Sequence, residues 1–119
     1  MKELRNPSFS QKHTVLEYEI GKTELNQTVP TLVKVKDKTG NTLAEIKFQD
    51  GPISEAGVNG VFNEDLLLMV ISRLEAWQKG ELADPSAEKA LEKLYEATFW
   101  LRRRTDERKA RGVLETHRK

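Results

Sequence analysis

The sequence predicts an α+β protein in which a small N-terminal antiparallel β-sheet precedes a long antiparallel α-helical hairpin. Three observations carry that prediction. Between residues 13 and 48, short alternating apolar and polar runs are separated by turn formers. From residue 63 to residue 111 the apolar spacing becomes helical, in two segments. Only Gly80-Glu81-Leu82-Ala83 separates these segments, and so short a link folds two helices back on each other. The expected organisation is a β-rich segment over 1–50, a Gly-rich connector over 51–62, and a helical hairpin with a basic C-terminal end over 63–119.

Residues 1 to 12 are polar, with one proline and two serines, and read as a loosely held lead-in. His13 to Ile20 alternates around Val15, Leu16 and Tyr18, which predicts a strand closed by Gly21. Gly21 to Pro30 has no clear period and reads as a connection. Thr31 to Asp37 and Thr42 to Phe48 alternate again across Lys38-Thr39-Gly40-Asn41, where Gly and Asn accept positive φ, predicting a β-hairpin with one polar face. About three strands result, and their apolar face needs cover, for which the long helix is the available partner.

The connector Phe48 to Phe62 holds Gly51, Gly57, Gly60 and Pro52, so its path is tightly specified. Gly57 and Gly60 permit left-handed φ or close backbone approach, and Asn59 tolerates the same region. Such a loop can aim N–H groups at an anion. It lacks the Gly-Lys-Ser/Thr of a phosphate-binding P-loop and does not match the dinucleotide fingerprint.

Asn63 is the expected cap of the first helix, with Glu64 and Asp65 in its opening turn. The uninterrupted run Leu66 to Ile71 covers more than one face. A helix apolar nearly all round is covered on several sides, here by the second helix, the sheet and another subunit. Asp84 caps the second helix and Pro85 occupies its first position. From Pro85 to Arg111, with Gly112 as the stop, this helix is a rod of roughly 40 Å. Ala87, Leu91, Leu94, Thr98 and Leu101 form its core stripe; Ala97, Trp100, Arg104, Arg108 and Arg111 form a ridge on one shoulder. A cationic ridge beside an apolar seam suits phosphates, although basic residues also gather at helix C-termini to complement the dipole. Arg102, Arg103 and Lys109 read as ordinary solvated charges.

Composition excludes several functions. The chain has no cysteine, hence no disulfide scaffold or thiolate metal site, and its two histidines, His13 and His117, are in no zinc-binding spacing. No metal or cofactor is expected. No carboxylate pair stands out as acid and base, so the chain is not expected to be an enzyme. There is no run of 18 apolar residues and no apolar stretch of signal-peptide length near Met1, which argues against membrane insertion and export. The formal charge of +1 conceals a polarity. Leu101 to Lys119 holds eight basic and three acidic residues, whereas the rest is acidic on balance.

The run Phe48-Gln49-Asp50-Gly51-Pro52-Ile53-x-Glu55-x-Gly57-Val58-Asn59-Gly60-Val61-x-Asn63-Glu64-x-Leu66-Leu67 is followed by Arg73-Leu74, Trp77-Gln78, Gly80, Ala90-Leu91, Trp100-Leu101, Arg104-Thr105-x-x-Arg108 and Arg111-Gly112-Val113. Together these resemble the helical hairpin shared by two phage counter-defence families, the Thoeris anti-defence sponges and the anti-CBASS cyclic-oligonucleotide sponges. The β-rich segment before it makes the Thoeris type the nearer resemblance. The resemblance implies a homo-oligomer, a hexamer, in the cytoplasm of the infected bacterial host. It implies sequestration, without cleavage, of glycocyclic ADP-ribose isomers and, in some members, cyclic di- and trinucleotides. In that resemblance Trp77 is the stacking aromatic and Arg104 and Arg108 hold phosphate, with Asn59 and Gly60 as further candidates. The chain departs from the family's pattern in two places: Ser86-Ala87-Glu88 stands where Glu-Asn-Ala is common, and Trp77 where Phe is commoner.

Two other readings use the same residues. A small nucleic-acid-binding protein would lay the arginine helix on phosphates, against which the near-zero net charge argues. A phage assembly protein would use the connector and apolar helix for subunit contacts alone.

Overall fold

A computed structural model describes residues 1–4, 12–22 and 28–110. One compact unit runs from Met1 to Val61 and a second begins at Phe62. The first is built on a four-stranded antiparallel sheet in the order β1 (Lys2–Leu4), β2 (Thr14–Lys22), β3 (Thr28–Asp37), β4 (Thr42–Lys47). The α+β class holds.

Three boundaries differ from the sequence reading. Lys2 to Leu4 is a strand paired with Leu16 to Tyr18, so part of the expected loose lead-in is an edge of the sheet. Gly21 does not close β2: it pairs with Val29, and Lys22 pairs with Thr28. β3 correspondingly starts before Pro30, which pairs with Ile20 beside a register shift at Glu19/Ile20. The irregularity, together with the start of β4 pairing only at Leu32, lets a proline with no N–H to give the ladder be tolerated in β3.

Register sorts the faces. Leu4, Leu16, Val35 and Ala44 stand opposite one another across the sheet, as do Tyr18, Val33 and Ile46, which places the apolar residues on one face. Val33 is the buried centre of that face. The other face carries Glu17, Lys34, Lys36 and Glu45, with Lys36 Nζ 3.1 Å from Glu17 Oε2, so the polar face expected for the hairpin is present. Gly40 takes φ +97° in the β3–β4 turn. There the Asp37 carboxylate accepts from Thr39 N (2.9 Å), Thr39 Oγ1 (2.8 Å), Asn41 N (2.9 Å) and Asn41 Nδ2 (3.1 Å). These donors, Thr39 Oγ1 foremost and then the Asn41 backbone, hold its pKa down at about 2.

The second unit is the hairpin of α2 (Asn63–Gln78) and α3 (Pro85–Ala110), preceded in the first unit by the single turn α1 (Ile53–Ala56). Asn63 lies inside α2 and does not cap it. Phe62 occupies the cap position, and the Asp65 carboxylate reaches back to accept the Phe62 N–H at 2.8 Å. A side chain from the first turn thus does the capping that Asn63 was expected to do. Asp84 caps α3 as expected, its Oδ1 accepting the Ala87 N–H at 2.9 Å. Gly112, the expected stop, lies outside the described residues.

Candidate ligand-binding site

The seam of the hairpin is narrow. Ile71 of α2 and Ala87 and Leu91 of α3 are buried, with Leu94, Thr98 and Leu101 partly so, as the periodicity of α3 predicts. Thr98 and Thr105 sit along this side because their hydroxyls donate to the Leu94 and Leu101 carbonyls, at 2.8 and 3.2 Å. That bond satisfies the hydroxyl locally and leaves the methyl for packing. Two polar clasps hold the helices together. Asp84 N–H donates to Gln78 Oε1 (3.0 Å) while Gln78 Nε2 donates to the Asp84 carbonyl (3.1 Å). Higher up, the Tyr95 hydroxyl donates to Glu75 Oε2 at 2.9 Å, a bond to a carboxylate that pushes the phenol pKa above its ordinary value.

Outside that seam, large apolar side chains are open. Leu68, Met69 and Val70 on α2 are 62%, 57% and 45% exposed. The apolar run is therefore not covered all round by the described residues, and large exposed apolar side chains grouped in this way mark an interaction surface. On α3, Tyr95, Phe99 and Trp100 are exposed as well, with Phe99 and Trp100 packed edge to face at 5.3 Å.

The predicted site residues fall into two groups. Trp77 is in the last turn of α2, exposed, with the Arg73 guanidinium carbon over its ring at 5.8 Å from the centroid. Arg104 is exposed on α3, beyond Trp100 on the predicted ridge. Arg108 lies on the same helix, with its side chain outside the described residues, as is Arg111. Trp77 stands next to the bend, whereas Arg104 is roughly 28 Å along α3 from Pro85 at 1.5 Å per residue. Because α2 runs back antiparallel, these two residues belong to opposite ends of one hairpin. Arg103 is not the plain solvated charge its position suggested. It lies over the Trp100 ring at 5.2 Å, and its Nε donates to Glu107 Oε1 at 3.1 Å.

Asn59 and Gly60 lie in the connector, which is a stitched loop. Phe48 and Val61 form a parallel bridge at its base, with Val61 N–H on the Lys47 carbonyl (2.8 Å) and Gln49 N–H on the Val61 carbonyl (2.9 Å). Gln49 Nε2 donates to the carbonyls of Gly57 (2.7 Å) and Gly51 (3.1 Å), and its Oε1 accepts the Asn59 N–H (2.9 Å). The Asn59 carboxamide is bonded at both ends to the Asp50 backbone. Gly57 takes φ +68°, as expected. Gly60 does not use the left-handed region; it is glycine for space, since a Cβ there would lie 2.4 Å from the Phe48 carbonyl carbon. The sequence reading missed Gln49 and Arg73. The signal for Arg73 was its spacing, one helical turn before Trp77.

Among the described residues no His, Asp, Glu or Cys cluster could hold a metal ion, and no helix is long and apolar enough to cross a membrane. Residues 41–106, more than half the chain, match the family described as the Acb2/Tad1 hairpin domain. A curated phage protein, Thoeris anti-defense 1 of Bacillus phage SBSphiJ7, is 51% identical over 87 residues, which cover 73% of this chain and 61% of that relative. The match thus takes in under two thirds of the relative's length.

Proposed function

Since this chain belongs to the Acb2/Tad1 hairpin family, we propose that it is a phage anti-defence protein that binds cyclic nucleotide immune signals and withholds them from the host without cleaving them. The ligands are glycocyclic ADP-ribose isomers of the Thoeris response, with cyclic di- and trinucleotides of CBASS as a second class. The protein acts as a homo-oligomer, a hexamer, in the cytoplasm of the infected host. It is a binder and not an enzyme.

The observation that carries this reading is the presence, on one hairpin, of an exposed indole and an exposed guanidinium in a chain 51% identical over 87 residues to a named Thoeris anti-defence protein. Trp77 supplies a stacking face for adenine, a contact worth about 1–3 kcal/mol per base in nucleic-acid systems. Arg104 and Arg108, one turn apart, supply forks that match a diphosphate. Asn59 and Gly60 are further ligand-binding residues of this reading, carried over from the family resemblance.

Separation along the hairpin supports an intermolecular pocket. A compact ligand lying on Trp77 near the bend is held by arginines from the far end of another copy's α3, which antiparallel pairing of two hairpins brings alongside. The exposed side chains of Leu68, Met69 and Val70, spread over more than one side of α2, give the copies apolar area to bury.

The test is calorimetric titration of the purified protein with glycocyclic ADP-ribose isomers and cyclic dinucleotides, then heat denaturation and chromatography of what is released. Tight binding with the ligand recovered intact is the expected outcome. A linear product would make the protein an enzyme, and no binding across the panel would return the arginine helix to the nucleic-acid or assembly readings.

A further inference from the structure

We infer that Arg73 is a ligand-contacting residue of the Trp77 platform, one that reads phosphate beside the stacked base. The inference rests on the sequestration reading above and deepens it.

Arg73 and Trp77 are one turn apart on α2, so their side chains leave the same side of the helix, and the guanidinium carbon sits over the indole 5.8 Å from its centroid. Arg73 is exposed. Its helix neighbours three and four residues away are Met69, Val70, Ala76 and Trp77, none of them acidic. Among the described residues Arg73 makes no ion pair.

The second arginine–tryptophan pair of the hairpin is the internal comparison. Arg103 lies over Trp100 with its guanidinium carbon 5.2 Å from the ring centroid, much as Arg73 lies over Trp77 at 5.8 Å. Its charge, however, is committed to Glu107, whose carboxylate takes the Nε–H at 3.1 Å. The two pairs differ in where the charge goes: it meets a carboxylate on α3 and no ion pair among the described residues on α2. A guanidinium attracted to a ring by its charge spends none of its N–H donors on a carboxylate, and they stay available to an anion.

An indole with an unneutralised guanidinium beside it recognises a molecule that joins a flat base to phosphate. The base takes ring surface the guanidinium leaves open, and a phosphate oxygen accepts from the Arg73 N–H groups. A nucleoside without phosphate forfeits the second contact. Arg73 accordingly sets the preference for phosphorylated ligands, and because it neutralises ligand charge it adds to the salt dependence of binding.

The experiment uses the full chain carrying Trp100→Phe, so that Trp77 is the single indole, titrated by fluorescence with glycocyclic ADP-ribose isomers and with adenosine. Arg73→Gln is expected to weaken binding of the cyclic ADP-ribose isomers about tenfold and to flatten its salt dependence, with adenosine binding unchanged. Arg73→Lys should recover part of the loss, and Arg103→Gln should stay within about twofold of the parent. Circular dichroism checks that the variants are folded. If Arg73→Gln binds as tightly as its parent, with the same salt dependence, while Trp77→Ala abolishes binding by calorimetry, Arg73 is not a contact and the sequestration reading stands. If the parent binds none of the isomers, the reading itself fails and the role of Arg73 with it.

Discussion

Asn59 pairs with Asp50 as though its side chain were a strand: Asp50 N–H donates to Asn59 Oδ1 at 2.9 Å, and Asn59 Nδ2 donates to the Asp50 carbonyl at 2.7 Å. The carboxamide copies the donor–acceptor spacing of a peptide group, which no other side chain except glutamine can do. Asn59→Ala leaves both backbone groups of Asp50 to water, and Asn59→Asp keeps the acceptor while placing an anion against a carbonyl. Each variant should lose about 1–2 kcal/mol of stability by urea denaturation, the aspartate no less than the alanine. A contribution of Asn59 to ligand affinity that runs through the loop should be imitated by Gln49→Ala, which removes the neighbouring bonds to Gly51, Gly57 and the Asn59 N–H and leaves the Asn59 carboxamide in place.

Gly60 tests the steric reading of the same loop. Its absent Cβ would sit within 2.6 Å of three backbone atoms of Lys47 and Phe48, atoms that belong to the bridge closing the loop and cannot swing aside. Gly60→Ala should cost about 2–3 kcal/mol, read as a lowered denaturation midpoint. Gly80→Ala is the control. Nothing lies within 4 Å of a Cβ there, so it should be close to neutral.

The hairpin was legible because its signals are local and redundant. Asp84-Pro85 announces the start of α3, and Ala87, Leu91 and Leu94 repeat at helical spacing until the seam is specified. The edge strand Lys2–Leu4 was not legible, because three residues carry too little alternation and their pairing with Leu16 to Tyr18 is a long-range event. Gly21 looked like a terminator because glycine usually is one; its partner Val29 across the sheet keeps it in the strand. At the candidate site, the family resemblance pointed to Trp77, and ridge spacing together with that resemblance to Arg104, but neither gave their distance. That distance follows only from where the bend falls and how long α3 runs. Arg73 stayed hidden because a lone arginine on a helix looks like every solvated arginine until the ring beneath it is seen.

Asp37 gives the sheet an acid-sensitive turn. Its carboxyl is held at about 2 against an ordinary 3.8, chiefly by the Thr39 hydroxyl and then by the Asn41 backbone. A carboxylate whose folded pKa is depressed stabilises the fold above the unfolded pKa, and that contribution drains away as pH falls from about 4 to about 2. Urea midpoints of the parent should therefore drop more steeply over that window than those of Asp37→Asn, while the parent should be the more stable of the two at pH 7. Equal slopes would mean the turn contributes nothing that depends on the charge of Asp37.

Trp77 and Arg104 belong to opposite ends of one hairpin, and the proposed pocket draws them from different copies. That arrangement makes a prediction no single-chain pocket shares. Trp77→Ala removes the stacking face from every chain and Arg104→Ala removes a phosphate contact from every chain, so each homogeneous oligomer should bind the cyclic ADP-ribose isomers poorly. Unfolded together and refolded as mixed oligomers, the two variants regenerate some pockets in which an intact Trp77 from one chain faces an intact Arg104 from another. With equal amounts and random assembly, about a quarter of the pockets are whole. Titration of the mixture should then recover about that fraction of the wild-type capacity at wild-type affinity. A pocket built within one chain recovers none, because no chain in the mixture carries both residues. Chromatography of the mixed and unmixed oligomers fixes the second condition: assembly must survive both substitutions, as expected for two exposed residues that lie off the Ile71–Leu91 seam.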